Sequence, residues 1–188
     1  MFLLQLSGGA KLVNAFALWP LQSGAGLFDS VGPGFQIWQL VTYSFLHGGL
    51  MHLLLNMYAL WLFGTRMESV WGSRAFAIYY FVCVVGAGLV QLIIASQASS
   101  IYPTIGASGG VFGLLLAFGM TFPNERLLLM FPPIELPAKW FVLIYGLVEL
   151  YFGVSGTMAG VAHFAHLGGM LFGFILLRYW RLHPPRYY

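Results

Sequence analysis

The sequence predicts an all-α, polytopic bundle of membrane helices. Three observations carry this: extreme apolarity, long runs without charge, and small or polar breaks that cut those runs into spans. Of the 188 residues, 60% are hydrophobic and only 7% are charged. A soluble domain carries about 25% charged residues, and one of this length has too little interior to hide so much apolar surface. The bilayer must serve as much of the solvent. The net charge of +3 is small and the basic residues are spread along the chain. That argues against a nucleic-acid partner, so the cations read as topology signals. One cysteine, Cys83, excludes an internal disulfide and sits in an apolar run, where it packs in the core or against lipid. Met1 to Leu6 lacks a basic n-region and a cleavage site, so it is not read as a signal peptide.

A bilayer crossing needs about 20 apolar residues. No charge lies between Asp29 and Arg66, and apolar density peaks from Leu50 to Gly64, giving one span. The stretch from Ala75 to Asn124 is also uncharged and has room for two spans. Ser96-Gln97-Ala98-Ser99-Ser100, followed by Tyr102-Pro103, marks the loop between them. From Lys139 to Arg178 the only charge is Glu149, and the small residues of Gly153 to Gly160 divide that run into two more. Five clear spans are therefore expected, near 50–65, 75–95, 106–122, 139–154 and 161–178. Pro132-Pro133 and Pro137 punctuate the third connection, where no chemistry is expected.

Alternation of five spans puts Arg66, Arg74, Arg126, Lys139, Arg178, Arg181 and Arg186 on one face, and only Lys11 on the other. The positive-inside tendency makes the first face, and the C-terminus, cytoplasmic. Met1 to Leu6 is too short to span. Residues 7–49 are expected to form an extracytoplasmic loop with Trp19 and Trp38 at the interface. The N-terminus is then outside, or Met1 to Leu6 is the tail of a preceding span; the two readings stand equal.

The spans starting near 50, 106 and 161 all begin on the outer face, and each carries polar groups near that start. They are His52 and Asn56, then Ser108, then His163 and His166. Polar groups within membranes are costly and face the bundle interior, so three helices converge on one layer. Ser96 and Ser155 are expected only to bond a backbone carbonyl one turn back. Ser108 differs because Gly106, Gly109 and Gly110 surround it, permitting close backbone approach and a sharp helix start. Gly109 with Gly113, and Gly169 with Gly173, form small-xxx-small faces on two helices. Those faces can bring His166 to Ser108 as the base for a nucleophilic hydroxyl. A packed, hydrogen-bonded histidine is the alternative for His166 alone. No aspartate accompanies them in the outer layer, so a Ser–His dyad is expected rather than a triad. His52 and Asn56, four apart, share a helix face. They suit an oxyanion hole with the Ser108 N–H, or equally serve as interhelical glue. Four histidines (His47, His52, His163, His166) lie on the outer side. Without a carboxylate or cysteine in that layer, no metal site and no cofactor is expected. Glu149, the one acid inside a span, is the feature that would suit an ion path.

These motifs together resemble the rhomboid family of intramembrane serine proteases. His52 and Asn56 match the family's second helix, Gly106 to Gly109 its Gly-x-Ser-Gly, and Ala165-His166-Leu167-Gly168-Gly169 through Gly173 its Ala-His-x-x-Gly-x-x-x-Gly. Glu68 with Gly72 is similar to the end of the family's second helix, and Phe112 stands where an aromatic packs on the histidine. The resemblance, over about residues 10–180, implies Ser108 as nucleophile, His166 as base, and His52, Asn56 and Ser108 at the oxyanion. Gly106, Gly109, Phe112, Gly169 and Gly173 support them. It implies one domain: residues 1–6 a remnant of a sixth (first) helix, 7–49 the first loop, 50–180 the catalytic core, and 181–188 a cytoplasmic tail.

Two departures accompany it. The first helix is represented only by Met1 to Leu6, and the family's Trp-Arg pair is Trp38-Gln39 here. The implied function is a serine endopeptidase of a bacterial inner membrane. It would cut single-pass or polytopic membrane-protein substrates near the outer face, with the lipid bilayer as its surroundings and a gate near 139–154. A catalytically silent relative that binds membrane clients is the second reading. A small transporter is the third, though the inverted repeats it expects are not found.

Overall fold

The computed structural model describes residues 2–21, 33–96, 102–129, 133–156 and 161–182. The Gly-rich stretch 22–32, positions 97–101 of the second loop, Pro132, residues 157–160 and the tail beyond 182 lie outside the described residues. The elements are α1 (Phe2–Phe16), α2 (Gln39–Thr42) with a 3-10 turn (Tyr43–Phe45), α3 (Leu50–Ala95), α4 (Ser108–Thr121), β1 (Arg126–Leu129), β2 (Ile134–Pro137), α5 (Ala138–Ser155) and α6 (His163–Leu182).

Two elements differ from the sequence expectation. Helix α1 continues past Leu6 to Phe16, through a kink at Gly9. Its last turns are held because Val13 and Phe16 pack on Ala17, Trp19 and Leu46. The third connection is an antiparallel hairpin, Arg126 paired with Pro137 through Leu129 with Ile134. A chain reversing between neighbouring antiparallel helices satisfies its own backbone donors this way. The bundle is helical apart from this pair of strands among the described residues.

Helix α3 has 46 residues. At about 1.5 Å per residue it would run roughly 69 Å if straight, more than twice a hydrocarbon core of about 30 Å. Gly72 solves this with φ 76° and ψ 158°, a conformation in which a side chain would be strained. The helix therefore folds into two arms, 50–71 and 73–95. By length and composition, α3 and α5 are long and apolar enough to cross a membrane, while α4 is a shorter apolar helix of 14 residues.

The arms of α3 pack with α4 and α6 around Met67, Tyr79, Cys83, Leu114 and Phe118. Cys83 is fully buried there. Glycines set the spacing. A Cβ on Gly169 would collide with the carbonyl oxygen of Gly109, and one on Gly113 with the Cys83 sulfur. Tyr79 Oη donates to the Gly113 carbonyl at 2.9 Å. At the end of the bundle where the α3 arms turn, Trp71 meets Trp180 edge-on at 5.6 Å and Arg66 pairs with Glu125 at 3.1 Å.

Before α3, the buried Gln39 organises the chain. Its Oε1 accepts from the N–H groups of Trp19 and Gln36, both at 3.2 Å. Gln39 thus holds the segment that precedes the site by hydrogen bonds to its side-chain oxygen.

Candidate active site

Ser108 is the first residue of α4, so its N–H has no carbonyl within its own helix to bond. The preceding turn is fixed from outside. Leu18 and Thr104 exchange backbone hydrogen bonds at 3.0 and 2.9 Å, and the Gly106 N–H donates to the Tyr43 carbonyl at 3.0 Å. Gly106 has φ 128°, and a Cβ there would lie 2.9 Å from His52 Cε1. Glycine is needed at 106 on both counts.

His166, one turn into α6, reaches across the glycine crossing. Its Nε2 lies 2.7 Å from Ser108 Oγ. Phe112, one turn after Ser108, stacks on the imidazole with centroids 4.2 Å apart and planes 3° from parallel. The ring is thus held flat against one wall while its edge meets the hydroxyl.

The other ring nitrogen of His166 faces a group that the sequence reading placed elsewhere. His166 Nδ1 is 2.9 Å from Glu149 Oε2, and His163 Nδ1 is 2.6 Å from the same oxygen. All three residues are buried. The expectation that no carboxylate shares this layer is therefore corrected: α5 brings Glu149 to both histidines. A carboxylate thus accompanies the histidines, as a metal site would require. Glu149, His163 and His166 each offer a ligand atom within 4.8 Å of the others and form a three-ligand set able to hold a divalent ion. An ionised carboxylate only accepts hydrogen bonds. Both histidines must then carry hydrogen on Nδ1, which leaves His166 Nε2 as an acceptor facing Ser108. That tautomer follows from the network.

His52 and Asn56 line the same cavity of about 660 Å³ as Ser108 and His166. The Gly48 N–H donates to His52 Nδ1 at 3.1 Å, so the ring hydrogen sits on Nε2, beside Gly106. Asn56 spends an amide N–H on the His52 carbonyl at 2.8 Å, and its buried Oδ1 has no partner among the described residues. His47, just before α3, packs edge-on to His52 at 5.2 Å. Burial, and then the proximity of His52, hold its pKa below the usual histidine value. Ser96 and Ser155, by contrast, bond the carbonyls of Ile93 and Phe152, three residues back.

The fold and these contacts define a class: apolar helical bundles in which a serine and a histidine meet between two glycine-packed helices. The rhomboid domain family matches residues 34–182, and the chain belongs to the rhomboid family. It is 32% identical over 163 residues to RHOMBOID-like protein 4 of Arabidopsis thaliana, covering 83% of this chain and 37% of that protein. It is 32% identical over 174 residues to Rhomboid protease GluP of Bacillus subtilis, covering 92% of this chain and 31% of that protein. Presenilin-associated rhomboid-like protein A, mitochondrial, of Danio rerio is 30% identical over 155 residues, covering 78% of this chain and 39% of that protein. The chain thus spans well under half the length of these three relatives. Rhomboid proteins are integral membrane proteins, and the family includes serine proteases.

Proposed function

We propose that this chain is an intramembrane serine endopeptidase with Ser108 as nucleophile and His166 as base. The observation that carries the reading is the 2.7 Å approach of His166 Nε2 to Ser108 Oγ. In this reading Ser108 Oγ attacks the scissile carbonyl carbon and its proton passes to His166 Nε2. The carbonyl electron pair moves to oxygen, and the oxyanion is met by His52 Nε2–H, the Asn56 amide and the Ser108 N–H. Collapse expels the amine, which takes the proton from Nε2 and leaves an acyl-serine. Water then attacks the ester carbonyl and gives a proton to Nε2; the acyl C–O bond breaks, the carboxylic acid product leaves, and Nε2 returns the proton to Ser108 Oγ.

The substrates are transmembrane segments of single-pass or polytopic membrane proteins, presented from the lipid bilayer and cut near the outer face. In this reading the chain crosses an inner membrane five times, and the positive-inside tendency makes the C-terminus cytoplasmic. The two arms of α3, then α4, α5 and α6, supply those crossings.

The test compares this protein with Ser108→Ala on a reporter bearing a Gly- and Ala-containing transmembrane segment in liposomes. Cleavage lost in the variant supports the reading. Equal cleavage in both overturns it, and a parent that binds the reporter without cutting it indicates the silent, client-binding relative. In the same assay His52→Ala is expected to lower kcat about 10²-fold to 10³-fold with KM nearly unchanged, the scale of one lost oxyanion donor. Interhelical glue would lower the melting temperature instead.

A further inference from the structure

Helix α5 is mostly exposed to its surroundings. Of its 18 residues only Ala138, Val142 and Glu149 are buried. An acid is thus one of the three residues of this helix that are buried. A carboxylate placed in an apolar bundle is costly unless it is paired and hydrogen-bonded. Glu149 is satisfied from α6, by two imidazoles on one oxygen at 2.6 and 2.9 Å.

The two histidines do different things there. His166 joins the carboxylate to the Ser108 hydroxyl. His163 ends at the carboxylate: its Nε2 is buried with no partner among the described residues. His163 Nδ1 meets the carboxylate at 2.6 Å, and its ring leans on Phe152 with centroids 5.8 Å apart.

We infer that Glu149 is the positioning residue of the site, so that the working unit is Glu149–His166–Ser108 with His163 locking the carboxylate in place. The inference rests on the serine-protease reading above and deepens it. Glu149 never touches substrate. It holds hydrogen on His166 Nδ1, which keeps Nε2 free to take the Ser108 proton. It also stands beside the imidazolium that forms when that proton arrives. The carboxylate stays ionised throughout, so the proton makes one journey, from Oγ to Nε2 and on to the leaving amine.

The experiment uses the full chain in detergent with a chelator present, which keeps divalent ions off the three-ligand set. It measures the rate at which a fluorophosphonate labels Ser108, together with kcat and KM on the reporter and the melting temperature. Glu149→Gln is expected to slow labelling and kcat at least about 10²-fold with KM within a few-fold, because an amide no longer presents an ionised acceptor to both Nδ1–H groups. Glu149→Asp keeps the charge and should restore labelling to about tenfold below the parent. Labelling of Glu149→Gln within threefold of the parent overturns the inference, as does an equal loss in the glutamine and aspartate variants. Should the glutamine variant fail to fold, the aspartate variant decides: parent-like labelling overturns, and a slowdown of about tenfold with unchanged melting supports. The underlying reading fails separately. Labelling or cleavage that survives Ser108→Ala sinks the serine nucleophile whatever Glu149 does.

Discussion

His166→Ala is expected to lower cleavage by about 10⁴-fold to 10⁶-fold while the bundle remains folded. The size follows from the chemistry. Without a base 2.7 Å away, Ser108 is an ordinary alcohol, and residues that act as one unit fail together. For the same reason Ser108→Ala combined with His166→Ala should be little worse than either alone. Folding should suffer less than activity, because the histidine is held by stacking on Phe112 and by Glu149 rather than forming the core of the crossing. Reporter cleavage and thermal melting on single and double variants check this. Two losses that multiply would mean that the serine and the histidine act independently.

Gly169→Ala should be nearly as damaging to activity by a different route. A single methyl at 169 would be driven into the carbonyl oxygen of Gly109, the residue after the nucleophile. Backbone cannot rotate aside as a flexible side chain can, so α4 and α6 must separate. Overpacking of this kind costs about 1–3 kcal/mol of stability. A displacement of about 1 Å between reacting groups costs on the order of 10²-fold in rate. The expected outcome is a lower melting temperature and about a 10²-fold loss of kcat in one variant. A parent-like melting temperature and rate would mean that this crossing has slack. Gly146→Ala is the comparison: a Cβ there meets only the end of the flexible Met170 side chain, at 3.5 Å.

Much of this arrangement was legible in the sequence because glycine spacing and polar depth are local signals. Gly109 with Gly113 and Gly169 with Gly173 mark the faces that meet at the crossing, and Ser108 and His166 lie beside those faces. The partnership of Glu149 with the histidines is less legible, although its depth is available. Glu149 lies five residues inside the outer end of the span at 139–154, and His166 lies five residues inside the start of the span at 161–178. Both are therefore about 7 Å below the same face. Within its own span Glu149 has no partner, whereas within its layer it has two. The hairpin and the length of α1 were harder to read. Neither is written in hydropathy: the strands form because neighbouring helices must be joined, and the last turns of α1 are kept by packing on Trp19 and Leu46.

The base of α5 is tied down, since the Ala138 N–H donates to the Glu125 carbonyl at 2.8 Å and the Lys139 N–H to the Pro123 carbonyl at 3.1 Å. Glu149 stands eleven residues farther along, about 16 Å from that anchorage. Rotating the helix outward by roughly 10° about its tether carries the carboxylate away by about 3 Å, beyond any hydrogen bond. Such an outward swing and a supported His166 thus exclude one another. Under the proposed function, a substrate entering beside an outward-swung α5 would meet an unsupported imidazole, and cleavage would begin only once the helix had returned.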